Sequence, residues 1–344
     1  MNYTYIGALH IHSNYSDGTA SIKSIAQAAK KAGLSWIIIT DHDKLIGLDN
    51  GEEGWYDGVA VLIGEEISTG DCNHYLALNI NQEIKDEINP ENFINEVKKQ
   101  NGIGFVAHPD ESLNRKNDYK PLRWQDWNIK GFHGLEIWNH LSDWVDNYDP
   151  KNPVYCYFNK DKILTGPTAK TIKWWDDLNN SNANIVPAIG GLDVHAIDHK
   201  FWGINFQIFP YYDSFKTLAN YLYLDKKLSN DFDEAKEQIY NALKQGNNTI
   251  INRVWNRDKE EFCFCLKNKE TCAVPGNAIN LDNDAHLVIR VPGKARIRLI
   301  YNGQIIKELE GKEIIHKDVQ KGKYRVEVYY KNRPWIFSNP ILVI

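Results

Sequence analysis

The chain reads as an α/β protein: a barrel-like array of βα units, followed by a smaller antiparallel, sandwich-like β domain. Three observations lead there. Up to about residue 250, short apolar runs alternate with amphipathic stretches, the pattern of βα units. Beyond that point helical periodicity stops and β-rich runs take over: EFCFCL, AHLVIRV, ARIRLIYNG, KYRVEVYY and WIFSNPILVI. Turn signals such as Asn302-Gly303 and Lys321-Gly322 part them. Finally, the apolar runs of the first part end, one after another, in His, Asp or Glu. The expected division is 1–252 for the barrel and 253–344 for the β domain.

In chain order, TYIGALHIH is a strand. ASIKSIAQAAKKA at 20–32 carries Ile22, Ile25, Ala26, Ala29 and Ala32 at helical spacing, with Gly33 as the stop. WIIITDHD is a buried strand with a polar end; VAVLIGEEIS and HYLALNI follow. Pro90 sits early in a helix over 90–100, a position where its missing N–H costs nothing. GIGFVAHPD, GLEIWN and IVPAIGGLDVHA are further strands, and 231–245 form a last helix before Gly246.

Composition bounds the function. Hydrophobic residues make up 42% and charged residues 25%, the values of a globular protein with a sizeable core. Net charge is -5 and no long Lys/Arg block interrupts the chain, so no nucleic-acid footprint is indicated. No apolar run is long enough to span a membrane, and no signal-like segment opens the chain; a cytoplasmic protein is expected, its oligomeric state open. Cys72, Cys156, Cys263, Cys265 and Cys272 follow no disulfide or zinc spacing. Cys263 and Cys265 read as packing thiols on one strand face.

The residues that carry chemistry stand at strand ends: His10, His12, Asp17, His42, Glu65, His74, His108, Glu136, Asp193 and His195. In an α/β barrel such positions converge on one face. His10 and His12 are spaced i, i+2, which puts two imidazoles side by side. Imidazole and carboxylate without thiolate suit Zn, Mn or Fe, and the number of candidates exceeds what one ion uses. Glu65 and Glu66 are adjacent and must point opposite ways. Asp17 has an alternative as a helix cap, and Glu136 either orients a ligand or is a satisfied barrel carboxylate. His133, His140, His199, His286 and His316 read as ordinary.

HIHSNYSDG, TDHD, GEEIS with His74 downstream, AHPD and GGLDVH resemble, in order, the motifs of the PHP (polymerase and histidinol phosphatase) superfamily. GLEIWN, AHPD and the appended β domain look most like its CehA/McbA-like branch. The resemblance implies a distorted (β/α)7 barrel and a di- or trinuclear metal centre that hydrolyses, usually, a phosphoester. Carried over, His10 and His12 with Asp193 hold one ion, and Asp17, His42 and His195 hold or approach a second. Glu65, selected by the motif, bridges them, leaving Glu66 to pair elsewhere or to support a ligand. His74 and His108 serve a third ion, so two or three divalent ions (Mn, Zn or Fe) are implied.

The expected reaction is attack by a metal-bridging hydroxide, with Asp17, His42 or His195 moving a proton as catalytic groups. A small phosphorylated molecule is the expected substrate, with Lys44, Arg115 and Arg123 as candidate phosphate contacts and Lys170 or Lys173 as further ones. Two alternatives stand beside this. One is a carboxyl-ester, amide or carbamate hydrolase on the same centre; the other is a non-catalytic metal-binding module whose β domain binds a partner or glycan. Trp124, Trp127, Trp138, Trp144, Trp174, Trp175 and Trp202 cluster in a long insertion. Part of this cluster, Trp174 and Trp175 above all, is expected to wall a substrate pocket.

Overall fold

Strands Tyr3–Ala8, Trp36–His42 and Val59–Ile67 lie side by side in parallel, Gly7 opposite Trp36 and Trp36 opposite Ala60. They belong to a computed structural model that describes residues 3–68, 72–85, 89–111, 122–201, 204–255, 262–269 and 271–344. Tyr75–Leu78 comes next and runs antiparallel to both its neighbours, Val59–Ile67 and Ile103–Val106. Gly134–Asn139 and Ala188–Gly191 then continue in parallel. The ring closes where Ile11 bridges Val194, with Leu192 N donating to Leu9 O at 3.1 Å and Asp193 N to His10 O at 2.8 Å.

A regular (β/α)7 repeat is therefore not kept. The link from Val59–Ile67 to Tyr75–Leu78 is too short for the crossover of a dozen or more residues that a parallel neighbour needs. The chain turns back instead, and the strand order stays barrel-like while one direction reverses.

The helices lie outside this ring and begin and end on local chemistry. Ile22–Lys31 starts at Ser21, whose side chain accepts from Ser24 N, and the chain leaves it through Gly33 at φ 77°. Pro90–Lys99 is capped by Asn89, and Phe232–Gln245 by Asp231, with Gly246 left-handed at its end. Ile22, Ile25, Ala26 and Ala29 are fully buried against the barrel strands, the face that the helical spacing marks out.

The β-rich C-terminal portion has its own apolar core, including Phe264, Leu266, Ile289, Ile297, Leu299, Val326, Val328 and Trp335. Its sheet is continuous with the barrel: Asn248–Asn252 pairs with Leu218–Leu224 on one side and with Arg333–Ser338 on the other. It also grips helix Ala169–Ser181. Arg325 binds Asp176 through two bonds of 2.8 and 2.7 Å. The Lys323 ammonium donates at 2.6–2.7 Å to the carbonyl of Asn179, in the last turn of that helix, and to those of Asn182 and Asn184 past its end. No helix among the described residues is long and apolar enough to cross a membrane.

Candidate metal centre

The first strand stops at Ala8, and the histidine pair lies in its kinked continuation. His10 takes φ 62°, Asp193 φ 54° and His108 φ 25°. Left-handed backbone at non-glycine residues costs energy and is held only where surroundings enforce it, and here each instance turns a donor side chain inward. His10 and His12 are fully buried, with ring centroids 5.3 Å apart; His12 stacks on His195 at 4.1 Å.

At the centre stands Glu66. Its Oε2 lies 3.1 Å from His10 Nε2, 3.3 Å from His12 Nε2 and 3.2 Å from His42 Nδ1. Its Oε1 lies 2.9 Å from His74 Nδ1 and 3.1 Å from His108 Nε2. This corrects the expectation for Glu65. Register decides it: His42 pairs with Glu66 across parallel strands and Asp41 with Glu65, and paired residues share a face. Glu65 faces away from the imidazoles. It accepts one bond from Ile84 N at 2.9 Å, and burial pushes its carboxyl up to about 8.

The other expected donors complete the cluster. Asp193 Oδ1 is 3.6 Å from His10 Nε2 and 3.4 Å from His12 Nε2. Asp17, more exposed, approaches His195 Nε2 at 3.2 Å, His42 Nε2 at 3.6 Å and His12 Nδ1 at 3.6 Å. Three sets bring donor atoms within 4.8 Å of one another: His12, Asp17, His42 and His195; His10, His12, Glu66 and Asp193; His42, Glu66 and His74. His108 stands beside the third set through Glu66.

Around these donors sits a supporting layer, and it settles Glu136. Its Oε1 is 2.7 Å from His10 Nδ1, and its Oε2 accepts from His108 N at 2.7 Å and from Asn139 Nδ2 at 3.0 Å. A proton on His10 Nδ1 leaves Nε2 as a lone pair aimed at the cluster. Gly191 makes room: a Cβ there would lie 1.5 Å from Glu136 Oε1. Asn139 also donates to Asp193 Oδ2 at 3.2 Å. The loop carrying Asp17 is tied by Asp41, which accepts from Ser13 N and Oγ and from Ser16 Oγ at 2.6–2.7 Å. Tyr211 joins it to the strand ends, its hydroxyl donating to His12 O at 2.7 Å and accepting from Thr19 N at 3.2 Å. Sequence reasoning gives Glu66 only a pairing or supporting role, and it does not single out Asn139, Asp41 or Tyr211. The only signal for Asn139 was its place at the end of GLEIWN.

The electrostatics follow from so many donors in one buried volume. Burial opposes protonation of His10, but Glu136, Glu66 and Asp193 outweigh it and raise its pKa well above the ordinary range. Burial and the neighbouring His195 bring His12 down to about 4. Burial pushes the carboxyls of Glu66 and Asp193 up, yet the surrounding imidazoles hold both well below the ordinary range. Asp17 likewise falls to about 2 against its own desolvation, chiefly through His195. The cluster therefore keeps its carboxylates charged and demands positive charge between them and the ring nitrogens. His10 Nε2, both ring nitrogens of His12, His42 Nδ1 and Glu66 Oε2 are buried with no hydrogen-bond partner. Such a donor set fits divalent transition metals.

The cluster opens into a cleft of about 180 Å³, whose described lining adds Glu111, Leu122, Leu141, Ser142 and Val145 to the donors. The expected phosphate contacts are not among that lining. Lys44 is exposed and donates to Tyr15 O at 3.0 Å, Arg123 lies one residue beyond Leu122, and Arg115 falls outside the described residues. Lys170 reaches Asp110 and Lys173 reaches Asp177. The tryptophan expectation is also corrected. Trp175 is fully buried and donates to Val186 O at 2.8 Å, and Trp174 packs on Trp127, because their helix turns its apolar face to the barrel. Trp202 lies outside the described residues.

In comparison with known proteins, residues 8–154 match the PHP domain family. An uncharacterized protein of Methanocaldococcus jannaschii is 32% identical over 113 residues, 29% of this chain and 66% of that protein. The DNA polymerase/3'-5' exonuclease PolX of Bacillus subtilis is 44% identical over 45 residues, 13% of this chain and 8% of its own length. Among solved structures, a two-domain protein of Bacteroides vulgatus containing a predicted PHP-like metal-dependent phosphoesterase superposes with a TM-score of 0.48 at 14% identity. That superposition covers 98% of this chain and 95% of the other.

Proposed function

We propose that this protein is a metal-dependent hydrolase that cleaves a phosphoester of a small molecule at the Glu66 cluster, with two or more divalent ions held there. The observation that carries the reading is the convergence of His10, His12, His42, His74 and His108 on one carboxylate, with several donor atoms left without hydrogen-bond partners. Divalent ions in such a set supply acidified water and positive charge for the oxygens of the scissile group.

The chain's own residues do the rest. Glu136 and Asn139 fix the orientation of His10 and Asp193. His195 points Nδ1 at its neighbour's carbonyl, Asp193 O, at 3.0 Å, which turns Nε2 toward Asp17. That pair stands at the open side of the cluster and is suited to hand a proton to a departing oxygen. Asp41 and Tyr211 hold the Asp17 loop in place for this role.

A carboxyl-ester or amide hydrolase on the same centre is the second reading, favoured by the lack of any Lys or Arg in the described lining of the cleft. The test is a panel of aryl phosphates, aryl phosphodiesters and aryl acetates on protein loaded with Mn, Zn or Fe. Phosphoester turnover abolished by a chelator supports the first reading. Turnover of acetates alone supports the second, and no turnover with tightly held metal supports a non-catalytic module.

A further inference from the structure

We infer that the cleft is built for a substrate whose leaving group is neutral and apolar, and that Leu141 and Val145 select it. For the term leaving group this rests on the hydrolase reading; the binding preference itself does not. Leu141 and Val145 are spaced i, i+4 on helix His140–Asn147, and both line the same cleft as the donors. Leu122 supplies a third aliphatic contact.

Both walls are tied to the ligand-bearing segments. Asn139 caps the helix, its Oδ1 accepting from Ser142 N at 2.9 Å, while its Nδ2 holds Glu136 and Asp193. Leu141 and Val145 thus keep a set position relative to the donors. The segment after Leu122 is pinned by buried Trp124, whose N donates to Pro109 O at 3.0 Å. Gln125 N donates to Asn73 Oδ1 at 2.7 Å, next to His74.

Charge points the same way. Beside the buried Glu66 and Asp193, the carboxylates of the described lining are Glu111, which accepts from Ser142 Oγ at 2.7 Å, and the more exposed Asp17. Among the described residues no Lys or Arg lines the cleft. Against the described lining, an anionic leaving group would meet aliphatic carbon and carboxylate, whereas a neutral aryl or alkyl group buries apolar surface there.

The experiment is calorimetric titration of the metal-loaded protein with two aryl alcohols, 2-naphthol and 6-hydroxy-2-naphthoate. The neutral alcohol is expected to bind at least about tenfold more tightly. The double variant Leu141→Ala, Val145→Ala should weaken 2-naphthol about tenfold, and Leu141→Lys should reverse the order of the two. Unchanged metal content and melting temperature confirm that the variants fold. Equal affinities, or a double variant that binds 2-naphthol as the native protein does, overturn the proposal. If the naphthol preference holds while no phosphoester is cleaved, the phosphoesterase reading fails and the pocket assignment stands. If phosphodiesters turn over but the two alcohols bind alike, only the pocket assignment fails.

Discussion

Glu65 and Glu66 are neighbours of the same type, both buried, and the structure gives them opposite electrostatic fates. Replacing Glu65 by Gln isolates the difference. Glu65 is removed from water and accepts a single backbone bond, so its carboxyl rises from 4.5 to about 8. An acid whose pKa is higher in the folded state binds more protons folded than unfolded, so stability falls as pH climbs from 4.5 to 8. Each unit corresponds to about 1.4 kcal/mol, which makes the penalty roughly 3 kcal/mol at pH 7 and about 5 kcal/mol above pH 8.

Gln keeps the oxygen that accepts from Ile84 N and cannot ionise. Glu65→Gln should therefore match the native protein near pH 4.5 and exceed it increasingly toward pH 8. The gain in melting temperature at pH 8 should be roughly 10 °C for a chain of this size. Thermal melts at half-unit steps of pH, with metal chelated and again with metal added, measure it. A pH-independent difference, or a variant that no longer binds metal, would refute the assignment of Glu65 to the outer face.

Other consequences follow from the supporting layer and the core. Asn139→Ala and Glu136→Gln should each weaken metal binding by about 10–100-fold in competition with a chromogenic chelator, without loss of fold. Gly191→Ala forces Glu136 off His10 and should lower metal affinity at least as far, again read by chelator competition. Trp175→Ala should cost about 3–5 kcal/mol in denaturant unfolding, as a core truncation does, while KM of the remaining folded protein stays unchanged. Removing the metal from the native protein should lower its melting temperature, since the ions bind only the folded donor set.

Much of this site is legible in the residues. His10, His12, His42, His108, Asp193 and His195 each close an apolar run, and strand ends on one side of a barrel meet in space. What was not legible is phase. Val59–Ile67 is buried at every position, so no polar alternation tells which of Glu65 and Glu66 looks inward; only the pairing with His42 does. Strand direction was hidden for a related reason. HYLALNI is apolar whichever way it runs, and the shortness of the preceding link, rather than the strand, reverses it. The tryptophans misled because an indole that lines a pocket and one that fills a core look alike until the helix face is known. Glu136 was open between two roles, and the 2.7 Å contact with His10 decides for the orienting one.

The count of tightly bound divalent ions per chain in the native protein, Glu66→Gln and Glu65→Gln, by elemental analysis after gel filtration, addresses the metal centre itself. Two or more ions are expected in the native protein and in Glu65→Gln, and at most one in Glu66→Gln. A native protein without metal, or a Glu66→Gln variant that holds as many ions as the native chain, would contradict the centre described above.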